Sequence, residues 1–168
     1  MNKIILKYGI LGGIAASIVM SSITVYMKLH PEKTVGMFMG MFMGMFTMIL
    51  AYTFIVLGVL KLRNENNGIL PFGKAFLCGL GIVFITSTIY VLVWLIIYYN
   101  FFPNFMEHYC DLALKQTPPE ELVAKKAEME QYKEMYKSPI GVILLTYMEI
   151  FPFGIVVALI NAAVLKKK

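Results

Sequence analysis

Charge is scarce in this sequence. Of the 168 residues, 15% are charged and 59% are hydrophobic, whereas a soluble domain carries about a quarter charged residues. That composition excludes an ordinary water-soluble globule. Cysteine is scarcer still. Cys78 and Cys110 cannot form a disulfide framework, because a helical path between them puts them on the order of 30 Å apart, far beyond bridging reach. Both read as small apolar residues. His30 falls in a link, and His108 stands beside Glu107 and Cys110. A trio of His108, Cys110 and Asp111 is thin for a metal without a second ligand cluster, so no metal or cofactor is expected. The chain also lacks an HExxH pair, a P-loop, a GxSxG elbow and a Rossmann fingerprint, so no enzyme activity is expected. The net charge of +5 needs no nucleic-acid partner, because membrane topology accounts for it.

What the chain has instead is four long apolar blocks. They run from about Tyr8 to Met27, Val35 to Leu60, Ala75 to Phe102 and Pro139 to Leu165. Each can cross a bilayer core of roughly 30 Å, which takes about 20 residues as helix. Helices satisfy their own backbone groups in lipid. The expectation is an all-α integral membrane protein, one domain over 1–168, with four transmembrane helices and a lipid bilayer as its main partner. The first block has a basic start like a signal peptide. Its apolar run is longer than such a segment needs, and no clear small-x-small cleavage site follows. A retained helix is expected.

Eight of the fifteen Lys and Arg are Lys3, Lys7, Lys61, Arg63, Lys74, Lys166, Lys167 and Lys168. Four crossings put all of these on one side. Excess Lys and Arg mark the cytoplasmic side, so both termini are expected inside a bacterial inner membrane.

The third connection, residues 104–137, is too polar to span and too patterned for a loop. Thr117, Pro118, Pro119 and Glu120 make a helix-start signal. Leu122, Met129, Tyr132 and Tyr136 then recur on one face. This predicts an extracytoplasmic helical hairpin, 104–116 and 118–137. An amphipathic hairpin on the membrane surface is the simpler reading, and a docking surface for an extracytoplasmic protein the sharper one. Trp94, Tyr98, Tyr99, Phe101 and Phe102 mark the nearby water boundary.

The stretch GMFMGMFMGMFTM, residues 36–48, places Gly36, Gly40 and Gly44 on one helical stripe. Glycine at this spacing lets a second backbone approach closely, and methionine fills the gaps around it. Copper is the competing idea. A thioether site for Cu(I) needs about three converging sulfurs, and Met37, Met41 and Met45 have no Cys–Met cluster to join. Gly9, Gly13, Ser17 and Ser21 line helix one, and Gly154, Ala158 and Ala162 line helix four. Both stripes lie largely in the inner half of the bilayer, so they could face each other. The helix-two stripe then stays free for a homo-oligomer.

Glu149, in YMEIFPFG, is the one acid deep in a span. A carboxylate there costs a few kcal/mol or more unless neutralised or paired. Pro152 has no N–H and frees the carbonyl of Met148. Tyr90, Ser87, Thr86, Tyr52 and Ser17 are candidate neighbours. Two readings follow. One is a protein of helix–helix or partner contacts in which Glu149 ties helices together. The other is a small oligomeric proton- or cation-coupled transporter or channel subunit that uses Glu149 in a Pro-kinked helix.

YGI at 8–10, TMILAYTFIVLG at 47–58, NGILPFGKAF at 67–76, IYVLVW at 89–94 and EIFPFGIVVALINAAVLKKK at 149–168 resemble an uncharacterised bacterial membrane family, domain of unknown function 4199. FGKAF and EIFP are the more specific pieces. The resemblance implies a four-helix inner-membrane protein and no particular activity.

Overall fold

The computed structural model describes residues 1–29 and 37–167, side chains at 27 and 37–41 excepted. The described residues form six helices: α1 Asn2–Leu29, α2 Met37–Glu65, α3 Phe72–Phe101, α4 Phe105–Gln116, α5 Leu122–Tyr136 and α6 Pro139–Leu165. Of these, α1, α2, α3 and α6 are long and apolar enough to cross a membrane. The fourth block has the bounds expected. The first three helices differ at their ends, because a helix continues past the last apolar residue wherever nothing breaks it. Thus α1 takes in Lys3 and Lys7, and α2 runs on to Glu65. Then Asn67 and Gly68 turn the chain at positive φ, 53° and 83°, the conformation this pair favours. Helix α3 stops at Phe101, because Phe102 precedes a proline and leaves helical geometry.

Helix α3 is the centre of the bundle. It packs against α1, α2 and α6, and α2 also touches α1 and α6. The buried core joins Ile55, Val59, Ile82, Val83, Cys78 and Ala158. At the end that carries the termini, Leu70 and Lys167 exchange backbone hydrogen bonds of 2.8 and 2.9 Å. This clasp holds the α2–α3 link against the chain after α6.

The small-residue stripes differ from expectation in their partner. A Cβ on Gly9 would lie 2.7 Å from Ile85 Cβ, and one on Gly13 equally close to Ile89 Cβ. A Cβ on Gly154 would meet Val83, and one on Gly79 would come within 3.1 Å of Ala158 Cβ. Both stripes therefore receive α3, through different faces of it, rather than each other. The reason is size: α3 presents Ile85, Ile89 and Val83, and only glycine leaves room for branched side chains at close approach. In the α2 stripe, Gly36 lies outside the described residues, as does the Gly40 environment. A Cβ on Gly44 would have nothing within 4 Å.

The hairpin forms, with its second helix starting later than expected. Thr117 does not cap α5. It ends α4, and its hydroxyl donates to the Ala113 carbonyl at 2.7 Å. Pro118 to Glu121 then form a turn, closed by the Glu121 N–H on the Pro118 carbonyl at 3.0 Å. A Thr hydroxyl can serve either helix end, and here the preceding helix takes it. Met106, Cys110, Ala113 and Met129 form a separate small core, with Tyr132 and Tyr136 packed on it. Of the expected α5 face, Leu122 is half-buried and lies outside that core.

Candidate functional site

Helix α6 begins at Pro139. Ser138 caps it by accepting from the Gly141 N–H at 3.0 Å, a strong start signal. Glu149 is the eleventh residue of this helix, about 15 Å from its start. With 27 and 30 residues, α6 and α3 are roughly 40 and 45 Å long, longer than a bilayer core of about 30 Å. Helix α4 packs on α5, and α5 on α6.

Aromatic rings dock the hairpin. Trp94 on α3 meets Phe105 on α4 edge to face, at 5.0 Å between centroids, and Tyr98 meets Tyr136 on α5 at 5.2 Å. Phe105 in turn stacks on Tyr109 at 6.2 Å. Such pairs add about 0.5–1.5 kcal/mol each beyond their buried area. Trp94 and Tyr98, expected only as boundary markers, are thus the seat of the hairpin.

Glu149 stands beside this seat. Its side chain is exposed at the protein surface. It makes no hydrogen bond or ion pair among the described residues. Three phenols are close enough to interact with it electrostatically: Tyr90 on α3, Tyr109 on α4 and Tyr136 on α5. The indole N–H of Trp94 and the hydroxyl of Thr146 lie beside the Tyr136 phenol, and burial pushes that phenol up to about 12. Burial also raises Tyr109, with the charge of Glu149 adding to it.

Of the neighbours expected for Glu149, Tyr90 is in place and others are engaged elsewhere. The Tyr52 hydroxyl donates to the Ile150 carbonyl at 2.5 Å, next to the acid and not to it. Thr86 donates across to the Gly9 carbonyl on α1 at 3.1 Å. Ser17 and Ser87 keep buried hydroxyls without a hydrogen-bond partner among the described residues. Pro152 is exposed, and α6 stays helical through it. Tyr90 also lines a cavity of about 10 Å³ with Thr47, Tyr52, Thr86 and Ile150, near the lower limit for one water. It therefore borders the bundle interior and is close enough to Glu149 to feel its charge.

Tyr109 and Tyr136 were not legible as partners of Glu149. They lie on the hairpin, whose folding against α6 no local pattern announces. The trio His108, Cys110 and Asp111 is split: Cys110 is buried and points at Met106 and Met129, while His108 and Asp111 are exposed. Burial raises the Cys110 thiol, which keeps it protonated and structural. The described residues contain no group of three His, Cys, Asp or Glu able to hold a metal ion.

No curated protein and no solved structure gives a significant match to the chain. A family described as "Protein of unknown function (DUF4199)" matches residues 7–167. That is nearly the whole chain, from the start of the first apolar block to the lysines after the last, and the chain belongs to this family.

Proposed function

We propose that this is a non-enzymatic, multi-pass protein of the bacterial cytoplasmic membrane, both termini inside and the hairpin outside, in which Glu149 is an ionisable site read by the hairpin. Lys3, Lys7, Lys61, Arg63, Lys74, Lys166 and Lys167 at the clasp end support that orientation. The observation that carries the reading is Glu149 itself: an exposed carboxylate that makes no ion pair among the described residues, with phenols on three other helices close enough to feel its charge. A change in its charge alters the field at α3, α4 and α5 together. The core toward the termini holds Ile55, Val59, Leu62, Leu70 and Ile82, all buried. One chain therefore supports access to Glu149 from the hairpin end, and a path across the membrane would need more than one copy.

The test uses Trp94, the chain's single tryptophan. Its fluorescence in detergent or nanodiscs is expected to change between about pH 4 and 8. The nearby phenols ionise above that range, and the part of the change that is absent from Glu149→Gln belongs to Glu149. A wild-type signal that stays flat, or an identical curve from the variant, ends the proposal.

A second reading, self-association through α2, rests on the open space at Gly44. Gly44→Leu is expected to leave the unfolding midpoint of one chain unchanged and to abolish a crosslinked dimer. A dimer that survives the substitution removes this face from consideration.

A further inference from the structure

We infer that the clasp end of the bundle is a binding surface for the headgroups of anionic phospholipids. The clasp gathers cations that are far apart in sequence. Two backbone hydrogen bonds join Leu70 to Lys167, so Lys166 and Lys167 come against the α2–α3 link. The Arg63 Nε donates to the Gly68 carbonyl at 3.4 Å, which holds the guanidinium at the same link. Lys74 follows in the first turn of α3. Lys74, Lys166 and Lys167 are exposed, and Arg63 is half-buried. Helix α1 enters at this end, since a Cβ on Gly81 would meet Ile5 and one on Gly58 would meet Tyr8. It adds Lys3 and Lys7. Among the described residues Glu65 is the only acid there, and Lys61 lies 3.6 Å from it. The other cations of this end make no ion pair among the described residues.

Charge and position together select the occupant. A surface with this excess of cations attracts anions. The link that carries them also exposes Ile69 at 54% and Phe72 at 41%. Leu70, between the two, is fully buried and held by the clasp, which keeps the link seated on the bundle. A soluble anion would use the charge and leave Ile69 and Phe72 in water. An anionic phospholipid uses both: its phosphate meets the cations, and its glycerol and upper acyl chains meet the two apolar side chains. The four long apolar helices all begin or end here, so in a bilayer this surface lies at headgroup level. Lys and Arg clustered beside membrane helices are held there by anionic lipid.

Full-length protein in detergent is mixed with equal amounts of phosphatidylglycerol and phosphatidylcholine, and native mass spectrometry reads which lipid stays bound. Preferential retention of phosphatidylglycerol is expected. The preference is expected to fall as ionic strength rises, because salt screens exposed charges. Replacing Arg63, Lys74 and Lys167 with glutamine together is expected to cut it at least about tenfold. Arg63 also holds the turn at Gly68, so the pair Lys74→Gln and Lys167→Gln, expected to cut it severalfold, provides the answer if the triple variant does not fold. Removing Lys115, Lys126 and Lys133 from the hairpin in the same way is expected to leave the preference unchanged. Ile69→Ser is expected to weaken retention severalfold, an effect that a site for phosphate alone would not show. Inorganic phosphate at millimolar concentration is expected to leave the lipid in place. Equal retention of the two lipids, a preference that both clasp variants keep, or one that the hairpin variant loses equally, overturns the inference. Displacement by inorganic phosphate, with no effect of Ile69→Ser, assigns the surface to a soluble phosphate and overturns the lipid.

Discussion

Replacing Gly154 with leucine is expected to unfold the four-helix bundle under conditions that leave the wild type intact. A Cβ at Gly154 already collides with Val83 and lies 3.2 Å from a ring carbon of Tyr52. Leucine adds three more carbons in the same place. Val83 is fully buried in the core and branched at Cβ, so it has little rotamer freedom with which to yield. Tyr52 cannot yield without losing its hydrogen bond to the Ile150 carbonyl, worth about 0.6 kcal/mol in a membrane bundle. Overpacking alone costs about 1–3 kcal/mol. Against a stability of about 5–15 kcal/mol, the sum moves the unfolding midpoint in sodium dodecyl sulfate far below that of the wild type. Circular dichroism reads the loss. Gly154→Ala is expected to fall between the two, and Gly44→Leu to match the wild type. A Gly154→Leu midpoint equal to the wild type would show that α3 and α6 are packed less closely than the contacts at Val83 indicate.

The spans were legible because a bilayer sets a length and a polarity that few other environments demand. Pro139 and Leu165 bound the fourth block in the sequence and the sixth helix in the structure. The turn at Asn67–Gly68 was legible for a local reason, the positive φ that this pair adopts cheaply. Partners across the bundle were not legible in the same way. Gly9, Gly13, Gly154 and Ala158 read correctly as small residues, but smallness does not say which helix comes close. That depends on where Ile85, Ile89 and Val83 project from α3, a three-dimensional fact. The hairpin fell between these cases. The apolar positions Met129, Tyr132 and Tyr136 gave its face. Thr117 misled, because one hydroxyl could cap the helix after it or close the helix before it, and only the chain path decides. For the candidate site, Glu149 stood out because one acid among apolar residues is rare. Tyr90 was reachable by depth along α3. Tyr109 and Tyr136 were not, since their approach to Glu149 follows from ring packing at Trp94 and Tyr98.

Replacing Met129 with aspartate is expected to release the hairpin and leave the bundle standing. The hairpin core is small: Met106, Cys110, Ala113 and Met129 are its buried members. Met129 is 2% exposed, and the Cys110 thiol reaches its carbonyl at 3.7 Å. A carboxylate there could pair with Lys125 or Lys133, one turn away on α5, only by leaving the apolar core, and a buried charge left unpaired costs several kcal/mol. Four residues cannot offset that, so α4 and α5 separate. The main core draws its members from α1, α2, α3, α6 and the α2–α3 link, so its packing survives as a distinct cooperative unit. Three readouts follow together. Limited proteolysis cuts within residues 104–137 in the variant and not in the wild type. Trp94 emission moves to longer wavelength as Phe105 and Tyr136 leave its surroundings. The unfolding midpoint of the bundle stays near the wild-type value, and Met129→Leu behaves as the wild type in all three. The consequence for function is direct. With Tyr109 and Tyr136 gone from its side, Glu149 still titrates, but nothing on the hairpin registers it, and the pH response of Trp94 shrinks or disappears. Simultaneous loss of bundle and hairpin would make them one folding unit, and the charge on Glu149 would then act on the whole protein at once.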